Sequence, residues 1–348
     1  MKKKKICVLN AQVPFVRGGA EMMVQNLVNE LSKRNYDAEL VQIPFKWYPE
    51  NTLYDNMLMW RLLDLQESNG QKIDLVIGTK FPSYGVQHDN KILWLMHQFR
   101  QVYDLYSTEN GLQQAENGNE IKMKVINYDN LVINECKQKY SISKNVSHRL
   151  KQFNNIDSLP LYQPPSLIGQ YYCEDYNNYI LSVGRLDLLK RNDLLIRALV
   201  HCDKSVIVKI AGRGQELDNL KQLAKQLGVS DRVEFLGFVA DNYLLKLYAN
   251  ALAVYFAPID EDYGFITLEA FLSKKPVITC TDSGGVLEFV SKDSNGYICD
   301  VAPEAIGDAI EQVRNDKNRS KEFGNNGYQI VKDITWDNVI DRLTQTIR

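Results

Sequence analysis

The chain has 348 residues, of which 45% are apolar and 24% charged, with a net charge of −2. That length points to two domains of ordinary size, and the composition supports packed cores and excludes extended disorder. The near-neutral charge argues against nucleic-acid binding, which needs a basic surface.

"KKICVLN" predicts a first buried strand, followed by a loop with Pro14, Gly18 and Gly19. After the opening lysines only "ICVL" precedes Asn10, too short for the apolar core of a secretion signal. "AEMMVQNLVNELSKR" is an amphipathic helix with Met23, Leu27, Val28 and Leu31 on one stripe. "AELVQI", "DLVIGT", "ILWLMH" and "NLVINE" are apolar runs of the kind found in parallel strands buried on both faces. The alternation predicts an α/β fold with a doubly wound sheet. Pro160, Pro164 and Pro165 then forbid a regular element and mark a linker, so a first Rossmann-like domain is expected over residues 1–162.

Alternation restarts in a second domain over residues 163–330. "NYILSVG" precedes "NDLLIRALV", "SVIVKIAG" precedes "QELDNLKQLAKQLG", and "RVEFLGF" leads to "DNYLLKLYAN". "ALAVYFAP" leads to "FITLEAFLS", and "KPVITC" to "GVLEFV". Within residues 331–348, "WDNVIDRLTQTIR" reads as a terminal helix expected to pack back on the first domain. No stretch approaches the ~18 apolar residues of a membrane-spanning helix. The six cysteines are scattered without a CxxC pair and are read as reduced and mostly structural. A cytoplasmic protein is expected.

Open α/β sheets bind ligands at the carboxyl ends of their strands, and the unusual residues fall there. In "VGRLDLLKRN", Gly184 permits a tight turn, while Arg185 and Lys190 are two cations beside helix N-terminal amides, a fit for a diphosphate. An ordinary solvated loop is the plain alternative. "IAGRGQEL" carries Gly212 and Gly214 but has Leu217 where a dinucleotide fingerprint has its third small residue, so a turn bringing amides near a ligand is as good a reading. In "FVRGGAE", Gly18 and Gly19 would let the backbone approach a phosphate or acceptor, against a plain flexible loop.

"EDYGFITLEA" sets Glu261 and Glu269 eight positions apart. On one helix they would stand about 12 Å apart. Glycosidase carboxylates sit roughly 5 to 9.5 Å apart, so a hydrolytic pair requires Gly264 to fold the loop back. Metal ligation by Asp260, Glu261 and Asp262 has no supporting histidine or carboxylate cluster, and a solvated acidic loop is the plainer reading. Hydrogen bonding to sugar hydroxyls is the third option.

Taken in order, "GGAE", "GRLDLLKR", "IAGRGQEL", "RVEFLGFV" and "APIDEDYGFITLEAFLSKKPVITCTDSGG" resemble the retaining glycosyltransferases of family 4, which have the two-domain GT-B fold. The resemblance is dense from about residue 178 to 300 and weaker before 130. It implies a cleft between the domains. It also implies that Arg185 and Lys190 hold the donor diphosphate, with Gly184, Gly212 and Gly264 shaping the backbone around it. Phe265 and Ile266 would offer amides to the phosphate, Glu269 would bind the ribose hydroxyls, and Glu261 would bind the transferred sugar. His97 would face that sugar, and Gly18 and Gly19 would lie near the donor. Lys275 departs from the glycine usual before the proline of "SKKPVI".

The implied activity is retaining, metal-independent sugar transfer from a nucleotide diphosphate sugar to a glycan or lipid-linked acceptor, with no cofactor. No nucleophile for a double displacement stands out, so same-face attack assisted by the leaving phosphate is favoured. A GT-B-fold epimerase or phosphorylase and a non-catalytic nucleotide-sugar-binding subunit are the alternatives. Lys2 to Lys5, with Phe99, Arg100, Tyr103 and Tyr106, would allow weak contact with the inner face of a membrane; a solvated N-terminus is the plain alternative.

Overall fold

A computed structural model describes residues 2–16, 18–109 and 111–348. The chain divides into two compact units, one running to Ser166 and taking in Thr335–Arg348, the other spanning Leu167–Ile334.

In the first unit, β1 (Lys5–Gln12) leads through a loop to α1 (Gly19–Lys33), then β2 (Asp37–Pro44) and α2 (Thr52–Leu62). A two-residue hairpin follows, β3 (Glu67–Ser68) with β4 (Gln71–Lys72), and then β5 (Leu75–Gly78) and β6 (Lys91–Leu95). The unit continues with α3 (Gly118–Asn134), β7 (Gln138–Ser141), α4 (Lys144–Asn154) and β8 (Leu159–Pro160). Six strands form one parallel sheet in the order β2-β1-β5-β6-β7-β8. The stripe read from α1 is buried at Met23, Leu27 and Leu31.

"NLVINE" is not a strand. It forms the last turn of α3, where Val125, Asp129, Val132 and Ile133 are buried at helical spacing and Leu131 is exposed. The strand at that point is β7, whose first residues Gln138 and Lys139 are polar. "WDNVIDRLTQTIR" begins the last helix of the chain, Trp336–Leu343, inside the first unit. Trp336 meets Trp94 edge-on at 6.4 Å, Asp337 accepts from Arg34 Nε at 2.8 Å, and Tyr36 bonds Thr344 at 3.1 Å.

The second unit holds β9 (Tyr179–Val183), α5 (Asn192–Ala198), β10 (Ile207–Ala211), α6 (Leu217–Gln226), β11 (Val233–Gly237) and α7 (Asp241–Asn250). It goes on with β12 (Ala253–Tyr255), α8 (Phe265–Leu272), β13 (Val277–Cys280), β14 (Gly296–Cys299), α9 (Pro303–Asn315) and α10 (Lys317–Val331); Trp336–Leu343 is α11. Its six strands are parallel in the order β11-β10-β9-β12-β13-β14. "GVLEFV" makes only a short 3₁₀ turn, Gly285–Glu288, because Gly284 and Gly285 are held against the preceding acidic loop.

That strand order fixes where a ligand can sit. The chain winds outward from β9 to β11 and returns to the centre at β12, so β9 and β12 are neighbours whose following loops diverge. The crevice at such a reversal, outside the carboxyl ends of the strands, is where doubly wound sheets take their ligands. Helix α8 follows β12 and is held by α10. A Cβ at Gly327 would fall 2.2 Å from Phe271 Cδ1, so only glycine allows that approach.

No helix among the described residues is long and apolar enough to cross a membrane. The segment proposed to meet a membrane surface turns inward. Phe99, Tyr103 and Tyr106 are buried, Phe99 packs 5.4 Å from Phe81, and Tyr103 donates to Asp129 at 2.6 Å. Arg100 bonds Asp104, Lys4 pairs with Asp74 and Lys5 with Asp37. These aromatic groups therefore belong to the core of the unit and not to an interface.

Candidate functional site

The turns after β9 and β10 are fastened to each other. Gly184 N–H donates to Ala211 O at 3.0 Å, Leu186 N–H to Arg213 O at 3.0 Å, and Glu216 N–H to Leu186 O at 3.1 Å. A Cβ at Gly212 would lie 1.8 Å from Gly184 O, and one at Gly214 would lie 2.1 Å from Leu186 O. The glycines of "IAGRG" thus allow two turns to touch, which accounts for them without a dinucleotide. Gly212→Ala is expected to destabilise the chain by about 1–3 kcal/mol through forced backbone displacement, read as a lower midpoint in denaturant unfolding. An unchanged midpoint would refute the contact.

The first turn also abuts α8, since a Cβ on Gly184 would lie 3.4 Å from Ile266 Cδ1. Beyond it, Arg185 is two-thirds exposed, with Nε 3.7 Å from Asp187 Oδ2. Asp187 Oδ1 accepts from the Lys190 N–H at 3.2 Å and so closes a 3₁₀ turn over Leu188–Lys190. That turn aims Lys190 at the loop after β12, where its ammonium pairs with the Glu261 carboxylate and lies 5.4 Å from the Phe256 ring centre.

Glu261 is therefore in a loop, not in a helix, and the loop is held from both sides. Ile259 N–H donates to Leu189 O at 2.9 Å, and Gly285 N–H to Glu261 O at 2.7 Å. Arg191, buried and with φ of +50°, sends its guanidinium beneath the loop. It donates to Ala257 O at 2.7 Å, to Pro258 O at 2.9 Å and to both Asp282 oxygens at 2.9 and 2.6 Å. Sequence reading passed over Arg191. Its adjacency to Lys190 was visible, but its fork reaches Asp282 only through the fold.

Gly264, in the left-handed region at φ of +88°, turns the chain into α8. A Cβ there would meet Val286 Cγ2 at 3.1 Å. The first amides of α8, Phe265 and Ile266, have no acceptor within the helix, and with the helix dipole they favour an anion. Glu269 stands about 6 Å further along the axis, half-buried. Tyr248 donates to its Oε2 at 2.6 Å, and Tyr171 also hydrogen-bonds it. Burial pushes Glu269 up to about 7, while the two phenol hydrogen bonds pull the other way. Tyr171 and Tyr248 were likewise not foreseen; Tyr248 reads from sequence as one more apolar residue of α7.

The structure thus brings Gly184, Lys190, Glu261, Gly264, Phe265, Ile266 and Glu269 to one end of the second sheet, with Gly212 behind the first turn. Asp260, Glu261 and Asp262 share the loop, and among the described residues no group of three or more His, Cys, Asp and Glu side chains gathers for a metal.

Three expected residues belong to the first unit. His97 lies two residues beyond the end of β6, half-buried, with Nδ1 2.7 Å from Gln98 O. Gly18 caps α1 with extended backbone. Its N–H donates to Glu21 Oε2 at 2.9 Å, and the other Glu21 oxygen pairs with Lys80 at 2.9 Å. Gly19 is exposed at the first position of α1.

Residues 173–330 match the family described as glycosyl transferases group 1. The alpha-1,3/1,6-mannosyltransferase of Dictyostelium discoideum is 34% identical over 212 residues, covering 55% of this chain and 50% of that protein. A 4-alpha-N-acetylgalactosaminyltransferase of Campylobacter jejuni, named for a diphospho-undecaprenol substrate, is 35% identical over 141 residues, 39% of this chain and 38% of that protein. The chain spans half or less of the length of these curated relatives. The Anabaena protein HepE, solved with UDP and glucose, superposes with a TM-score of 0.71 at 18% identity over 99% of this chain and 98% of its own. The two doubly wound units, shared end to end with solved structures, have the GT-B fold, and residues 173–330 within the second unit match the glycosyl transferases group 1.

Proposed function

We propose that the chain transfers a sugar, with retention at the anomeric carbon and without a divalent metal, from a nucleoside diphosphate sugar to a glycan or lipid-linked acceptor. The observation that supports this most is the Lys190–Glu261 pair at the carboxyl ends of β9 and β12, beside the free amides of α8. Breaking the anomeric C–O bond leaves negative charge on the departing diphosphate. A fixed ammonium and helix amides meet that charge as it develops, and Arg185 is free to swing in from solvent. Glu261 accepts from hydroxyls of the transferred sugar, Glu269 from the ribose, and His97 faces the sugar. Gly18 and Gly19 are assigned to the donor on the same reading. Attack from the face that the diphosphate leaves, with a phosphate oxygen taking the acceptor proton, needs no protein nucleophile and preserves configuration.

The UDP and glucose held by HepE and the lipid-linked substrate in the Campylobacter name support the donor and acceptor classes. An acceptor of that kind would bring the protein to the inner face of a membrane.

Incubation with a panel of nucleoside diphosphate sugars tests the reading. Slow release of sugar and nucleoside diphosphate from one donor is expected, with NMR showing the starting anomeric configuration in the first product. Binding of nucleoside diphosphate with no donor turned over would instead indicate a non-catalytic subunit. Activity is expected to persist in EDTA. Loss of activity that Mg²⁺ or Mn²⁺ restores would refute metal independence and return Asp260, Glu261 and Asp262 to consideration as ligands.

A further inference from the structure

Glu269 is held by phenols and not by a cation. Tyr248, buried on α7, donates its hydroxyl to Glu269 Oε2 at 2.6 Å, and the Tyr171 hydroxyl is the second partner. The two rings meet edge-on with centres 6.1 Å apart. Tyr171 lies in the segment that leads from the start of the second unit at Leu167 to β9. From the start of α7 the Asp241 carboxylate opposes the charge of Glu269. Among the described residues no lysine or arginine forms an ion pair with it.

A carboxylate can accept about four hydrogen bonds. The two phenols fill two of these places, and what remains matches the two hydroxyls of a ribose cis-diol. A lysine or arginine partner would neutralise the carboxylate and weaken its hold on neutral hydroxyls. A phenol donates one hydrogen bond and leaves the charge in place. Tyr248 is 0% exposed, so its hydroxyl cannot follow a wandering carboxylate. The orientation of Glu269 is therefore set by two donors before a ligand arrives. Its place about 6 Å along α8 from the first amides is beside the sugar that would follow a diphosphate seated there.

We propose that Tyr248 and Tyr171 are positioning residues that fix the Glu269 carboxylate against the 2′- and 3′-hydroxyls of a ribose, and so select ribonucleoside over 2′-deoxyribonucleoside diphosphates. The inference rests on the donor site proposed above and gives that site a selectivity. A 2′-deoxyribose leaves one place on the carboxylate unfilled away from water, and a site built to take a hydroxyl rejects the analogue that lacks it. The phenols act through Glu269. Each of their hydrogen bonds favours the charged carboxylate against burial, so removing one moves its ionisation to higher pH as well as freeing it to turn.

The test titrates the full chain at pH 8 by calorimetry with ADP, GDP, CDP and UDP and with the 2′-deoxy form of each. At least one ribonucleoside diphosphate should bind, about 10-fold or more tighter than its 2′-deoxy form. Tyr248→Phe should weaken that ribonucleotide about 10-fold and its 2′-deoxy form by less, narrowing the preference. Tyr171→Phe should act the same way. The midpoint of the pH dependence of binding, about 7 in the wild type, should move up in both variants. Variants that weaken both nucleotides equally, with the midpoint unmoved, would make the tyrosines structural only and overturn the proposal. So would a wild-type chain that binds the ribo and 2′-deoxy forms alike. The donor site survives either result, whereas a wild-type chain that binds none of the diphosphates overturns the site and the proposal together. Should Tyr248→Phe not fold, Tyr171→Phe, at a half-buried position, decides.

Discussion

Lys190→Ala is expected to lower kcat about 10²- to 10³-fold, the scale of losing one preorganised donor aimed at developing charge. The expectation rests on where the side chain is held. Asp187 closes the turn that carries Lys190, the Leu189 carbonyl ties that turn to the loop after β12, and the ammonium ends on Glu261. A lysine so restrained loses little further freedom when a diphosphate arrives. Its charge adds most when the anomeric bond has broken and the diphosphate carries the full leaving charge. The interaction is then stronger in the transition state than in the ground state, so kcat should fall further than donor affinity. Removing Lys190 also takes an ammonium away from Glu261, and a carboxylate in a partly buried loop that loses a cation carries its own cost. Steady-state kinetics therefore need donor dissociation constants and an unfolding midpoint alongside. A lowered midpoint with unchanged turnover would make the pair structural only and remove Lys190 from the chemistry.

The pattern of strands and helices could be read in the sequence wherever a short apolar run followed a turn signal, as in β1, β9 and β13. It failed at "NLVINE", since three apolar residues in a row fit a buried strand and the last turn of a helix equally. The true strand there opens with Gln138 and Lys139, and only its neighbours β6 and β8 make it a strand. Helix α9, with Pro303 in its first turn and Ile306, Ala309, Ile310 and Val313 buried at helical spacing, carried a legible signal that the strand-centred reading passed over. In the site, glycines and charges at strand ends announced themselves. What they touch did not. Gly212 signals a close approach, but only the fold shows that the approach is to Gly184. Arg191 and Asp282 are 91 positions apart in the chain, and Tyr248 and Glu269 are 21 apart. Pairings at that range are set by how the sheet is wound, and no local pattern encodes them.

The two glutamates of "EDYGFITLEA" should fail in different ways, and pH should tell them apart. On the proposed reading Glu269 meets a ribose that does not change during reaction, and its interaction would be nearly equal in ground and transition states. Glu269→Gln should therefore mainly raise the donor KM. On the same reading Glu261 meets the sugar whose ring gains positive charge, so Glu261→Gln should mainly lower kcat. Glu269 titrates at about 7, against an ordinary 4.5, because burial disfavours its charge. If ribose hydroxyls donate to the ionised form, wild-type donor affinity should rise as pH climbs through about 7 and level off above it, while Glu269→Gln stays weak and flat. Stability should move the opposite way. The folded chain keeps a proton on Glu269 between 4.5 and about 7 where the unfolded chain has lost it, so stability falls as pH rises through that window. Asp129, fully buried and pushed up to about 7, adds to the same slope. Glu269→Gln should remove only part of it. Donor titrations and denaturant unfolding at pH 5.5 and 8 on both variants decide the roles. If Glu261→Gln weakens only donor binding and Glu269→Gln abolishes turnover, the two assignments exchange.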